Sequence, residues 1–126
     1  ELLGKRAQVA SWYTERLQED PYLTVPQSQP GVQASWFVYV VRLKNGSHRD
    51  RLTQRLMAKG IPTRPYFPAI HLLPFYAEQF HYQPGDLPVT EAVASSTIAL
   101  PFHGNMDEAS VQYVCDQLQL IAENLL

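Results

Sequence analysis

Trp36-Phe37-Val38-Tyr39-Val40-Val41-Arg42-Leu43 is an almost unbroken run of β-branched and aromatic residues. That composition predicts a β-strand. The lack of polar alternation predicts a central strand, covered on both faces. On its C-terminal side, Lys44-Asn45-Gly46 is a turn signal. Ser47 is placed to cap a helix running to about Lys59, with Asp50 three residues on as a weaker form of the capping box. Leu52 and Leu56 give that helix its apolar stripe, and Arg49, Arg51 and Arg55 read as its solvated face. Gly60 suits the left-handed position after the last turn, and Pro62 follows as a stop.

Upstream, residues 2–19 have apolar groups at Leu3, Ala7, Ala10, Tyr13 and Leu17, a helical recurrence ended by Asp20-Pro21. No Ser, Thr, Asp or Asn precedes this helix to cap it, so the chain is expected to be cut from something longer, the alternative being a processed N-terminus with a frayed helix. Tyr22–Val25 reads as a short edge strand and Pro26–Gln33 as a loop. Downstream, a short strand is expected over Ile61–Tyr66. Seven of the ten prolines fall between Pro62 and Pro101. That stretch therefore cannot be one regular element. Short helices are expected near 74–80 and 88–96, the second signalled by Asp86 ahead of Pro88. Thr97–Leu100 reads as a strand closed by Pro101. A last helix begins near Asp107, with Val111, Val114, Cys115, Leu118 and Ile121 on one face. The fold class expected is α+β: a small antiparallel or mixed sheet of three to four strands with helices packed on it.

The 126 residues fit a single domain, 1–126. A net charge of -2 gives no basic surplus for nucleic acid or a polybasic membrane contact. No apolar run approaches the roughly 20 residues that span a bilayer. No apolar h-region follows the first residues, and the single cysteine, Cys115, can form no internal disulfide. A cytoplasmic location is expected.

Chemistry concentrates in GIPTRPYFPAIHLLPFY, residues 60–76. A proline-stiffened loop carrying aromatic and polar side chains is what a ligand cleft requires. Arg64 can grip a carboxylate or phosphate through two hydrogen bonds. Tyr66 and Phe67 can cover a flat ring or a sugar face. His71 can donate, accept or move a proton near neutrality. From the segment alone, a core role for Phe67, Phe75 and Tyr76, with Arg64 paired to a surface acid, weighs equally. His48, His71, His81 and His103 show no helical i, i+4 pair, so no metal site is expected. His103 ends the strand segment and is a further candidate for a cleft. Cys115 lies on an apolar stripe and reads as an inert thiol. Helix capping accounts for Asp86, near Glu91 in sequence, better than acid–base work. No catalytic set is present.

Residues 60–76, the run FHYQPGDLPVTEAVASSTIALPFH (80–103) and the closing helix together resemble the C-terminal part of the DegT/StrS family. These are pyridoxal-phosphate-dependent aminotransferases that mostly act on nucleotide-linked keto sugars, in polysaccharide or antibiotic sugar biosynthesis. The opening helix, with Arg6-Ala7 and Trp12-Tyr13, and the strand run resemble that family too. The resemblance implies the small domain of an aspartate-aminotransferase-type (fold type I) enzyme, which covers the active-site cleft. The Schiff-base lysine and the acid that meets the pyridine nitrogen would lie on a large domain outside this chain. Neither Lys5, Lys44 nor Lys59 has the family's lysine context. Pyridoxal phosphate is expected in the intact parent and no cofactor in this chain alone, which is not expected to transaminate by itself.

The resemblance places Arg64, Tyr66, Phe67 and His71, and more weakly His103, as substrate-binding residues, with no catalytic, cofactor-binding or metal-binding residue in the chain. It implies a nucleotide-sugar substrate, an amino-acid donor and a homodimeric parent. Leu2, Leu3, Phe67, Leu72 and Phe75 are expected as exposed apolar groups left by a missing surface. The other reading is a free-standing, non-catalytic module that binds a nucleotide sugar or regulates.

Overall fold

The computed structural model describes residues 1–125. The elements run α1 (Leu2–Leu17), β1 (Leu23–Thr24), β2 (Tyr39–Leu43), α2 (Arg49–Ala58), α3 (Pro74–Phe80), α4 (Pro88–Ser96), β3 (Thr97–Leu100) and α5 (Glu108–Leu125). Single 3-10 turns sit at Gly46–His48 and Ile70–Leu72. The strands form one antiparallel sheet in the order β1-β2-β3, which is the α+β class read from the sequence.

β2 is the middle strand. Tyr39 faces Leu100 and Val41 faces Ile98 across one ladder, and Leu43 faces Leu23 across the other. These six residues are buried, while Arg42, paired with Thr24 and Thr97, is exposed on the opposite face. The strand therefore alternates, and only one face meets the main core, contrary to the expected cover on both. α1, α5 and α2 pack together behind the buried face through Val9, Tyr13, Leu17, Leu52, Leu56, Val111, Val114, Cys115, Leu118 and Ile121. α4 lies against the other face and covers part of it.

The strand is also shorter than its composition predicts, because Trp36-Phe37-Val38 lies outside it. The residue that follows Leu100 is Pro101, which has no N–H to donate, so the β2–β3 ladder stops at Tyr39. Trp36 instead stacks its ring on Tyr39 at 5.6 Å. Residues 61–66 form no strand either. Only Arg64 pairs, exchanging both backbone hydrogen bonds with Ala99 (3.3 and 2.8 Å), and Pro62 and Pro65 stop the ladder on each side.

The starts of α2 and α4 differ from expectation. The Asn45 side chain, not Ser47, caps the turn before α2, accepting the Ser47 N–H at 3.2 Å. Asp50 takes the Arg49 guanidinium at 3.0 Å instead of reaching back. Arg49 is also not purely solvated, since it donates to the Ala94 carbonyl at the end of α4 (2.6 Å). Asp86 does not cap α4 but closes the turn from Gln83. The starts of α1 and α5 agree with the sequence: α1 begins at Leu2 with no side-chain cap, and Asp107 accepts the Ser110 N–H at 2.8 Å to start α5.

Candidate functional site

The segment from Arg64 to Leu73 leaves the outer edge of β3 and is irregular apart from the 3-10 turn at Ile70–Leu72. Its anchor is the Arg64–Ala99 bridge, which fixes the Arg64 backbone to β3. The Arg64 side chain is exposed and takes no hydrogen bond or ion pair with any described residue. The alternative of a surface acid holding Arg64 is thereby set aside. Pro65 and Pro68 limit the loop's freedom, and Tyr66 and Phe67 meet edge to face with ring centres 4.7 Å apart. Phe67 is 58% exposed and Phe75 67%, so neither is core.

Tyr66, Phe67, Ile70 and His71 form one wall of an open hollow of about 600 Å³. Leu87, Val89 and Val93 form the other, and Thr97 also lines it. Val89 and Val93 are one helical turn apart on α4, so both reach the same side. The lining is almost wholly apolar, with space for a ring-sized group.

His71 is the one imidazole in this lining and is 7% exposed. Its Nε2 lies 2.9 Å from Glu91 Oε1, and its ring meets Tyr82 edge to face at 5.6 Å. Its Nδ1 is buried without a partner. Glu91 also accepts the Gly85 N–H on both oxygens at 3.0 Å and the Leu87 N–H at 3.4 Å. The His71 hydrogen bond first, then the Gly85 N–H, hold the Glu91 carboxyl below the ordinary carboxylate range. The sequence did not reveal this residue's role. The two partners stand 20 positions apart, and only the placement of α4 brings them together.

The structure thus brings Tyr66, Phe67 and His71 together around one hollow. Arg64 is not among the residues that line it. His103 is elsewhere: it is exposed, accepts the Asn105 N–H at 3.3 Å, and lines a second hollow of about 580 Å³ with Pro62, Asp107 and Tyr113. The wall supplied by Leu87, Val89 and Val93 was not anticipated, although the paired valines on a helix outside the main core were a visible signal.

Of the three lysines, Lys5 pairs with Glu1 (3.5 Å), Lys44 donates to the Asp20 carbonyl (3.4 Å), and Lys59 ends α2. None lines the hollow. Among the described residues no group of three metal-ligating side chains forms, and no helix is long and apolar enough to cross a membrane. The arrangement can bind and orient a ligand. It offers no nucleophile paired with a base.

The model of the DegT/DnrJ/EryC1/StrS aminotransferase family matches residues 1–119. The chain is similar to an erythromycin biosynthesis sensory transduction protein, EryC1, of Saccharopolyspora erythraea, at 29% identity over 92% of this chain and 31% of that protein. It is 30% identical to a dTDP-4-dehydro-2,3,6-trideoxy-D-glucose 4-aminotransferase of Saccharopolyspora spinosa, over 98% of this chain and 31% of that one. The crystal structure of the aminotransferase TlmJ from Streptoalloteichus hindustanus superposes with a TM-score of 0.87 at 26% identity, over 99% of this chain and 33% of that one. The chain spans about a third of the length of the relatives it matches.

Proposed function

The chain belongs to the DegT/DnrJ/EryC1/StrS aminotransferase family, and from that premise we propose that it is the C-terminal small domain of a longer pyridoxal-phosphate-dependent aminotransferase acting on nucleotide-linked keto sugars. The parent moves an amino group from an amino-acid donor to the sugar, and this domain closes the cleft and orients substrate. We place the parent in the cytoplasm as a homodimer.

The lysines present do not fit the cofactor: none of them faces the hollow. On this reading the lysine that holds pyridoxal phosphate is supplied by the large domain of the parent. What this chain contributes is binding. Tyr66, Phe67 and His71 shape an apolar recess, and filling it with substrate expels water and fixes orientation.

One observation carries this reading. Arg64 has its backbone tied to β3 by two hydrogen bonds while its guanidinium is unpaired among the described residues. A mounted, uncommitted fork of N–H donors suits an anionic substrate group, either the donor's carboxylate or a nucleotide phosphate. His103 belongs to a different hollow and is assigned a minor part.

The test is Arg64→Ala in the full-length protein. Losing hydrogen bonds to a charged group costs about 1.5–3 kcal/mol. Turnover at low substrate should therefore fall by roughly tenfold to a hundredfold, with the cofactor's absorbance retained. Unchanged turnover, or loss of that absorbance, overturns the assignment. A protein that never transaminates but still binds a nucleotide sugar without cofactor would instead favour the regulatory reading. That second reading is favoured by the name of the Saccharopolyspora erythraea relative, a sensory transduction protein.

A further inference from the structure

The Glu91 carboxylate sits where three pieces of chain meet. It accepts the Gly85 and Leu87 N–H groups, which lead into α4, and it faces Nε2 of His71 from the loop across the hollow. A carboxylate that already accepts backbone donors on both oxygens stays ionised, and an ionised carboxylate only accepts. The proton between Glu91 and His71 therefore belongs to Nε2. Nδ1 finds no acceptor in its buried setting, so a proton there would leave a buried donor unsatisfied. The geometry selects one tautomer, with Nε2 protonated and Nδ1 bare.

We infer that Glu91 is a positioning residue for this hollow, taken here as the place of the sugar, locking His71, and with it the Tyr66–Leu73 loop, onto the start of α4. The two walls of the 600 Å³ hollow then form one rigid recess. No other side-chain hydrogen bond among the described residues joins that loop to α4. Glu91 itself need not touch substrate. The inference rests on the proposed sugar-aminotransferase reading for its kinetic consequence, but the latch can be tested apart from it.

The experiment compares full-length wild type, Glu91→Gln and Glu91→Asp. Histidine ring-nitrogen NMR on selectively labelled protein, with His71→Gln used for assignment, reads the tautomer. Steady-state kinetics read KM separately for the keto-sugar nucleotide and for the amino-acid donor. The wild-type His71 should show a protonated Nε2 and a bare Nδ1. In Glu91→Gln that pattern should give way to a mixture, and the sugar KM should rise about tenfold while the donor KM holds. Glu91→Asp, with its charge kept, should retain the single tautomer and lie between the two in KM. The latch is overturned if Glu91→Gln leaves the ring spectrum unchanged. It is equally overturned if both KM values rise together with a lowered melting temperature, as general loosening would cause. If the ring spectra behave as stated but wild type aminates no keto-sugar nucleotide, the latch stands and the functional reading falls.

Discussion

Single side chains account for much of what this fold needs. Tyr13 is fully buried, stacks on Tyr39 at 4.9 Å, and donates its hydroxyl to the Pro101 carbonyl at 2.7 Å. Tyr13→Phe should lower unfolding stability by about 1–2 kcal/mol in urea titrations, because the carbonyl loses its partner while the ring remains. Burial pushes the Cys115 thiol up to about 12. A thiol-specific reagent at pH 8 should therefore modify it slowly in the folded protein and fast in denaturant; rapid labelling under native conditions would contradict this. Legibility at this scale was uneven. Cys115 and His71 could be picked out because their surroundings are set by local pattern and loop chemistry. Glu91 could not, because its meaning depends on a partner from a distant turn. Arg49 was misread for the same reason, since the carbonyl it reaches belongs to α4.

Elements ended where local chemistry dictated, and that part was readable. α2 closes at Gly60, which has φ +77 and donates to the Met57 carbonyl while Ile61 donates to Leu56. A Cβ there would meet no atom within 4 Å, so the cost of Gly60→Ala is all backbone. It should destabilise by about 1 kcal/mol, measurable as a lowered melting temperature. At the N-termini of α4 and α5, Glu91 and Asp107 are both held below their ordinary carboxylate ranges. His71 leads for Glu91, and hydrogen bonds from Ser110 lead for Asp107. A carboxyl depressed in the folded state stabilises above the unfolded value and loses that effect as pH falls through the folded one. Circular-dichroism melts should weaken below about pH 4, and Asp107→Asn should flatten part of that slope. Periodic helices with such end signals were predicted well. Among the strands, β3 has its expected span Thr97–Leu100 and β1 falls within Tyr22–Val25, whereas β2 and the segment 61–66 fall short, because proline at 62, 65 and 101 cuts ladders that composition alone would extend.

At the scale of the molecule, one side of the chain is well packed and another is not. Leu2 (72% exposed), Leu3, Phe67 and Phe75 lie in solvent as the sequence led one to expect, whereas Leu72 is half-buried. α3 buries none of its residues; Phe75 meets Tyr76 edge to face, and Tyr76 stacks on Phe80, in the open. In the proposed parent these groups are covered. The isolated 126-residue chain should then bind a hydrophobic fluorophore more strongly, residue for residue, than the full-length protein. Equal binding would show that this surface is free in both. The packed side holds a quieter consequence. β1 has two residues and soon meets Pro26, and beyond β3 only Arg64 pairs, between Pro62 and Pro65. Each margin of the sheet offers a newcomer scarcely any free backbone to zip against. When molecules of this chain crowd together, their stickiness is that of oily side chains, which dilution or detergent reverses. It is not the templated stacking of strands that seeds fibrils.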